Sequence, residues 1–348
     1  MNRTQNHGRR LIGGGMARLI RHRGGLTGLL LLALVLLPAL AAPLLPLPDP
    51  ARTAPAQRML PAFSVGQVTG QRHLLGTDHL GRDLLSRLLW GARSSIGVGV
   101  LATLLATAVG GIIGIAAGWG GRLSDALLMR GVDVLMAFPY LLLALAIVAA
   151  LGPGLNNAML AIAVANVPFF ARAVRGAVLE IRHQDYIAAA RLAGHRGPWL
   201  VFGEVLPNLA PTVLVLMTTT LGWMVLETAG LSFLGLGAQP PRADLGSMLG
   251  EGREFLTTYP LVAVLPGLVI LLLVVGINLL GDALRDLIDP RLAGSDASTM
   301  PTVQANAQRP QLTDNASQRV AMPDAAYPDV PENNSSALLS VRGLTITV

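Results

Sequence analysis

The sequence predicts an all-helical membrane protein with six transmembrane helices and one long cytoplasmic loop. The composition is the first reason: 52% of the 348 residues are hydrophobic and only 13% are charged, about half the ~25% charge of soluble domains. The second is a set of long charge-free windows, since a helix needs roughly 20 apolar residues to cross a bilayer core of about 30 Å. The third is where the charges lie. All 26 basic residues are arginine, and they sit at the ends of the apolar runs rather than on one continuous basic face. Nucleic acid is therefore set aside as a partner despite the net charge of +6. The chain has no cysteine, which excludes disulfides, thiolate metal sites and cysteine nucleophiles.

Residues 1–25 form a basic N-terminus, with Arg3, Arg9, Arg10, Arg18, Arg21 and Arg23 and no acidic residue. Residues 26–47 make the first crossing. The apolar core is too long for a signal peptide and no small-residue cleavage site follows it, so the segment reads as an anchor. A long loop, 48–93, comes next. Within it "GRDLLSRLLWGARSS" puts Leu84, Leu85, Leu88 and Leu89 on one helical face, with Asp83 and Arg87 elsewhere. That spacing suits either an interfacial amphipathic helix or a plain extension of the following span. Residues 94–121 are the second crossing, and 134–171 form an uncharged run too long for one. The phrase "LGPGLNN", residues 151–157, divides that run into two spans, because its glycines and proline end a helix and turn the chain. Windows 205–226 and 255–281 supply the fifth and sixth.

Six crossings put both ends of the bundle on one side. With the N-terminus inside, six arginines precede the first span, two lie in 122–133, five in 172–204 and two in 282–292. Eight fall outside, six of them in the long first loop, where the positive-inside rule counts for little. The N-terminus is thus expected in the cytoplasm, and with it the loop 182–208. This loop contains "DYIAAARLAGHRGPWLVFGEVLPN". Asp185 is placed to cap a short helix, and Gly194 suits the left-handed position that closes one. Gly197 and Pro198 turn the chain, a second short helix fits residues 199–205, and Pro207 opens the fifth span. A helix of about eight residues is not stable alone, so it needs either a partner or packing against the spans. The alanines 188–190 leave room for another surface to approach closely. An exposed alanine run is also ordinary in a solvated helix.

This loop resembles that of binding-protein-dependent ABC importer permeases: a Glu-Ala-Ala run, a Gly a few residues on, then a Leu-Pro. The pattern falls on Ala188, Ala189, Ala190, Gly194, Leu206 and Pro207, and Tyr186 and Asn208 fit the peptide-importer version. The family's Glu is Ala188 here, which removes any polar contact that Glu makes. The stretches "LLGTDHLGRDLLSRLLWGARSS", "DVLMAFPYLLLAL", "LSFLGLGAQPPRADLGSMLGEGR" and "NLLGDALRDLIDPRL" are similar to the second permease subunit of dipeptide, oligopeptide and nickel importers. With the loop they run in order from residue 74 to 292. The resemblance implies a permease core over 94–292 in a bacterial inner membrane, paired with a second permease subunit. It implies two ABC ATPase subunits or domains that grip the loop as a coupling helix, and an extracytoplasmic substrate-binding protein. Peptide, nickel or glutathione is the implied cargo. No cofactor is implied. The chain has no phosphate-binding Gly-Lys motif, so it is expected to hydrolyse no ATP itself.

Few polar residues stand out. Glu227 lies near the outer end of the fifth span, where an ionisable group is costly and usually faces water or a partner. It either lines the translocation path or gate, or is a structural carboxylate paired with Arg253 or Arg82. Asp78, Arg82 and Asp83 form a polar turn on the outer face that either contacts the binding protein or, as is commoner, caps a helix and pairs internally. His73, His79, His183 and His195 show no metal-ligand spacing, so no metal site is expected. A secondary transporter would show repeats with ionisable groups at mid-membrane, and only Glu227 comes near that. An intramembrane enzyme would need a nucleophile with its base, or metal ligands, inside the spans. Residues 293–336 are polar and rich in Pro, Ala, Asn and Ser, as a disordered linker is. The final 337–348, "ALLSVRGLTITV", alternate as a strand does, and resemble the opening strand of an ABC ATPase domain. They read either as the start of a fused domain or as a plain flexible tail.

Overall fold

The computed structural model describes residues 22–66, 70–195 and 197–288. Residues 1–21, the expected linker 293–336 and the strand-like 337–348 lie outside the described residues. In chain order the helices are α1 (Arg23–Ala41), α2 (Leu84–Trp119), α3 (Arg122–Met136), α4 (Tyr140–Leu151) and α5 (Leu155–Arg182). Then come α6 (Asp185–Leu192), α7 (Pro198–Phe233), α8 (Leu245–Gly252) and α9 (Leu261–Ile288). Between α1 and α2 a two-residue antiparallel ribbon, β1 (Ser64–Val65) with β2 (Arg72–His73), is a small departure from an all-helical fold.

Helices α1, α2, α5, α7 and α9 are each long and apolar enough to cross a bilayer unbroken. Helices α3 and α4 make a sixth crossing only together, as a pair bent by 85°. The expected straight span beginning at residue 134 is thus corrected. It breaks at Ala137–Pro139 as well as at Gly152–Gly154, because Pro139 holds the residue before it out of the helical region and cannot donate to the turn behind. Helix α3 is the amphipathic half, strapped to α5 by Arg172–Asp133 at 2.5 Å and by Arg175–Asp125. Of the two readings of the leucine stretch before the second span, the plain extension is the one observed. Helix α2 runs without interruption from Leu84, so "LLSRLLWGARSS" extends the second span and is not a separate helix. Pro207 sits in the first turn of the α-helical stretch Leu206–Phe233, as expected, and a short helical lead-in from Pro198 runs into it. A π turn over Val201–Val205 precedes Pro207, and its wider spacing absorbs the hydrogen bond that proline cannot make.

With lipid outside, apolar side chains need not be buried, and small residues do the close packing. Leu30, Leu34 and Leu37 of α1 accordingly point outward. Gly110, Gly114 and Gly118 form a smooth stripe on α2 that lies against the α5 backbone. A Cβ on Gly114 would sit 2.6 Å from the Ala171 carbonyl, and one on Gly110 2.7 Å from that of Val167. Gly28 of α1 meets Gly276 of α9 in the same way. Three apolar clusters result. One joins α1, α2, α7, α8 and α9, and a second joins α2, α4, α5 and α7. The third places Ile187 of α6 among Val174 and Val178 of α5 and Leu200, Val205 and Leu209 of α7.

Candidate functional site

Helix α6 is short but tightly terminated. Gln184 rather than Asp185 occupies the N-cap position, and its side chain makes no capping bond. Asp185 falls in the first turn, where its charge complements the positive end of the helix. At the other end the His195 amide donates to the Ala190 carbonyl and the Gly194 amide to that of Arg191, both at 3.1 Å. This pair of bonds is the Schellman closure, and it needs the left-handed backbone of Gly194, φ +93°. A Cβ at Gly194 would meet nothing within 4 Å. The glycine is therefore required by backbone conformation and not by space.

One residue anchors this helix and its neighbours face away. Ile187 is wholly buried between α5 and α7, whereas Tyr186, Ala188, Ala189 and Gly194 are exposed and Ala190 is half-buried. A second tether reaches α2: Arg191 lies over the Trp119 ring at 5.3 Å, and Arg182 lies over the same ring at 5.9 Å. Beyond the turn, Leu206, Pro207 and Asn208 are exposed, with the Asn208 amide donating to the Glu204 carbonyl at 2.7 Å. Trp199 and Phe202 are 82% and 68% exposed beside the short helix, so the loop presents a mixed alanine and aromatic surface.

At the opposite end of α2 lies a buried polar knot. Asp78, Arg82 and Asp83 are only 2–3% exposed, which leaves them no surface for direct contact with a binding protein. They cap and pair instead. Asp83 accepts from the Ser86 amide at the start of α2 and meets His73 Nδ1, both at 2.8 Å. Arg82 Nε donates to Asp78 Oδ2 and its Nη2 donates to Glu251 Oε2, each at 2.6 Å. Gly81 makes the turn possible: its φ is +74°, and a Cβ there would lie 1.9 Å from the Ala54 carbonyl. Arg87, off the leucine face by spacing, is nevertheless 1% exposed and shares Glu251 Oε2 at 3.3 Å. The fold also brings ligand atoms of Asp78, His79 and Glu251 within 4.8 Å of one another, which no spacing in the sequence reveals. Two guanidiniums already hold these carboxylates, and their charge opposes a metal ion.

Glu227 is 8% exposed and pairs with no cation among the described residues. Arg82 belongs to the knot, and Arg253 lies over the Phe233 ring at 5.7 Å. Glu227 instead accepts from Asn166 Nδ2 of α5 at 3.1 Å, and the Tyr140 hydroxyl at the start of α4 lies against its carboxyl. That approach falls short of full hydrogen-bond geometry, so Glu227 Oε1 and the Tyr140 hydroxyl remain unsatisfied. Neither Tyr140 nor Asn166 stood out in the sequence. Beside this cluster opens a cleft of about 530 Å³, lined in part by Tyr140, Asn166, Thr219, Thr220 and Trp223.

Residues 110–294 match the family described as the binding-protein-dependent transport system inner membrane component. The dipeptide transport system permease protein DppC of Alkalihalophilus pseudofirmus is 40% identical over 275 residues, 79% of this chain and 88% of that protein. The di/tripeptide transport system permease protein DppC of Pseudomonas aeruginosa is 43% identical over 78% of this chain and 89% of its own length. The glutathione transport system permease protein GsiD of Pectobacterium atrosepticum is 43% identical over 63% of this chain and 73% of its own.

Proposed function

Because the chain belongs to the binding-protein-dependent family of inner-membrane transport components, we propose that it is one permease subunit of a peptide-importing ABC transporter. A second permease subunit completes the pore, two ATPase subunits or domains drive it, and an extracytoplasmic binding protein delivers the cargo. The chain itself carries no phosphate-binding Gly-Lys motif, and ATP is hydrolysed by its partners. The N-terminus and the loop 182–208 lie in the cytoplasm, in keeping with the arginine distribution.

The burial of Ile187 carries this reading. A knob that exposes Tyr186, Ala188 and Ala189 while its core residue is packed against α5 and α7 moves those two spans when it is pushed. In the proposed cycle, ATP-driven closure of the ATPases displaces α6, and the spans rock between inward-open and outward-open states. The buried knot of Asp78, Arg82 and Asp83 holds the outer loop to α8 and serves as scaffold. Surrounding exposed residues, not these three, meet the binding protein.

The test is uptake of a dipeptide into proteoliposomes holding both permeases and the ATPases, with loaded binding protein outside. Uptake that requires ATP is expected. Uptake by the permeases alone under an ion gradient would point to a secondary transporter. Glutathione is the second cargo reading, favoured by the likeness to the glutathione permease, and competition for dipeptide uptake separates the two.

A further inference from the structure

Three of the polar groups lining the cleft beside Glu227, Asn166, Thr219 and Thr220, have their hydrogens already spent, while the Tyr140 hydroxyl and the Trp223 indole N–H keep theirs. The two amide hydrogens of Asn166 go to the Ile162 carbonyl at 3.0 Å and to Glu227 Oε2 at 3.1 Å, which turns its Oδ1 away from both. The Thr219 hydroxyl donates to the Val215 carbonyl at 2.9 Å, and that of Thr220 to the Leu216 carbonyl at 2.7 Å. Only their lone pairs remain available to the cleft. Behind Asn166 and Tyr140 stands the Glu227 carboxyl, 8% exposed, with Oε1 unsatisfied and no cationic partner among the described residues. The half-exposed ring of Trp223 adds an aromatic face. Three outward acceptors on Asn166, Thr219 and Thr220, a buried carboxyl without a counter-ion among the described residues and an indole face together suit a cation rich in hydrogen-bond donors. The volume, about 530 Å³, is in the range of small-molecule sites.

We propose that this cleft is a transit subsite for a primary ammonium group, the free N-terminal α-ammonium of a peptide cargo. The inference rests on the peptide-permease reading. Its three N–H donors meet Asn166 Oδ1 and the Thr219 and Thr220 oxygens, Trp223 covers one side, and Glu227 supplies the opposing charge through Asn166. Affinity is low by design of the site: the carboxyl lies one residue removed from the cation, and a pathway must release what it holds.

The experiment uses the assembled transporter in lipid nanodiscs without nucleotide or binding protein. Trp223 fluorescence, taken as the difference from Trp223→Phe, is titrated with alanylalanine and with N-acetyl-alanylalanine. A saturable change is expected with the free dipeptide, half-complete on the order of millimolar, and none with the acetylated one. Glu227→Gln keeps the acceptor for Asn166 and is expected to raise the half-saturation concentration about tenfold. Thr220→Val, which leaves the carboxyl untouched, should raise it a few-fold. An equal response to both peptides, no response to either, or unchanged titrations in both variants overturns the proposal. ATP-dependent dipeptide uptake by the unsubstituted complex is measured alongside. Its absence overturns the peptide reading, whereas uptake with a cleft indifferent to acetylation overturns the subsite alone.

Discussion

Arg82 and Glu251 meet at 2.6 Å across 169 residues of chain, and this contact fastens the outer loop to α8. Arg82 is 2% exposed, and the same Glu251 oxygen also receives Arg87, which is 1% exposed. Removing Glu251 leaves two buried guanidiniums to share Asp78, at a cost below the ~3–5 kcal/mol of a fully buried pair because Glu251 is 27% exposed. Glu251→Leu is therefore expected to lower the melting temperature of the solubilised complex. Arg82→Leu with Glu251→Leu together should cost less than the two single changes summed, because the double variant strands fewer charges. Simple additivity would show that the contact is not what holds the loop.

The glycine stripe of α2 gives a second prediction. Gly114 has the Ala171 carbonyl 2.6 Å from where a Cβ would be, and backbone does not yield as a flexible side chain does. Gly114→Leu must push α2 and α5 apart, with an overpacking cost of about 1–3 kcal/mol or more. Gly111, whose Cβ would meet nothing within 4 Å, is the control. Thermal stability should fall for Gly114→Leu and hold for Gly111→Leu.

How much of this was legible in the sequence depends on which medium each side chain faces. The long apolar windows revealed five straight spans, because nothing but a membrane needs them. The broken sixth was signalled by Phe138–Pro139, but the run around it is uncharged and reads as continuous. Arg87 is buried together with Leu84 and Leu88, so the leucine spacing alone does not reveal where it points. Its guanidinium reaches Glu251, 164 residues away, and no local pattern marks that contact. The Schellman closure at Gly194 was readable since it is local. The surroundings of Glu227 were not, because Asn166 lies 61 residues away and Tyr140 joins from a third helix.

Ile187 is the third test. It has no exposed surface, so no partner can touch it directly, yet it joins α6 to α5 and α7. Ile187→Ala removes that link, with a local cost of about 2–5 kcal/mol. ATP hydrolysis by the assembled complex should persist while peptide transported per ATP falls. An unchanged ratio would mean that the knob does not transmit motion through this contact.

Gly194 separates conformation from contact. Its φ of +93° strains any β-branched residue, while the open space around it admits one. Gly194→Val is expected to cost about 1–2 kcal/mol at the helix end and to weaken coupling. Asn, which tolerates left-handed backbone, should retain most of it. Equal loss with Val and Asn would implicate a contact with the ATPase rather than the turn.

The native absence of cysteine allows the sidedness of the loop to be measured cleanly. Ala189 is exposed on α6, so Ala189→Cys provides a single reactive thiol there. A membrane-impermeant maleimide should label it in inside-out vesicles, and added ATPase subunits should protect it. Labelling in right-side-out vesicles, with none in inverted ones, would place the knob beyond reach of any ATPase and contradict its coupling role.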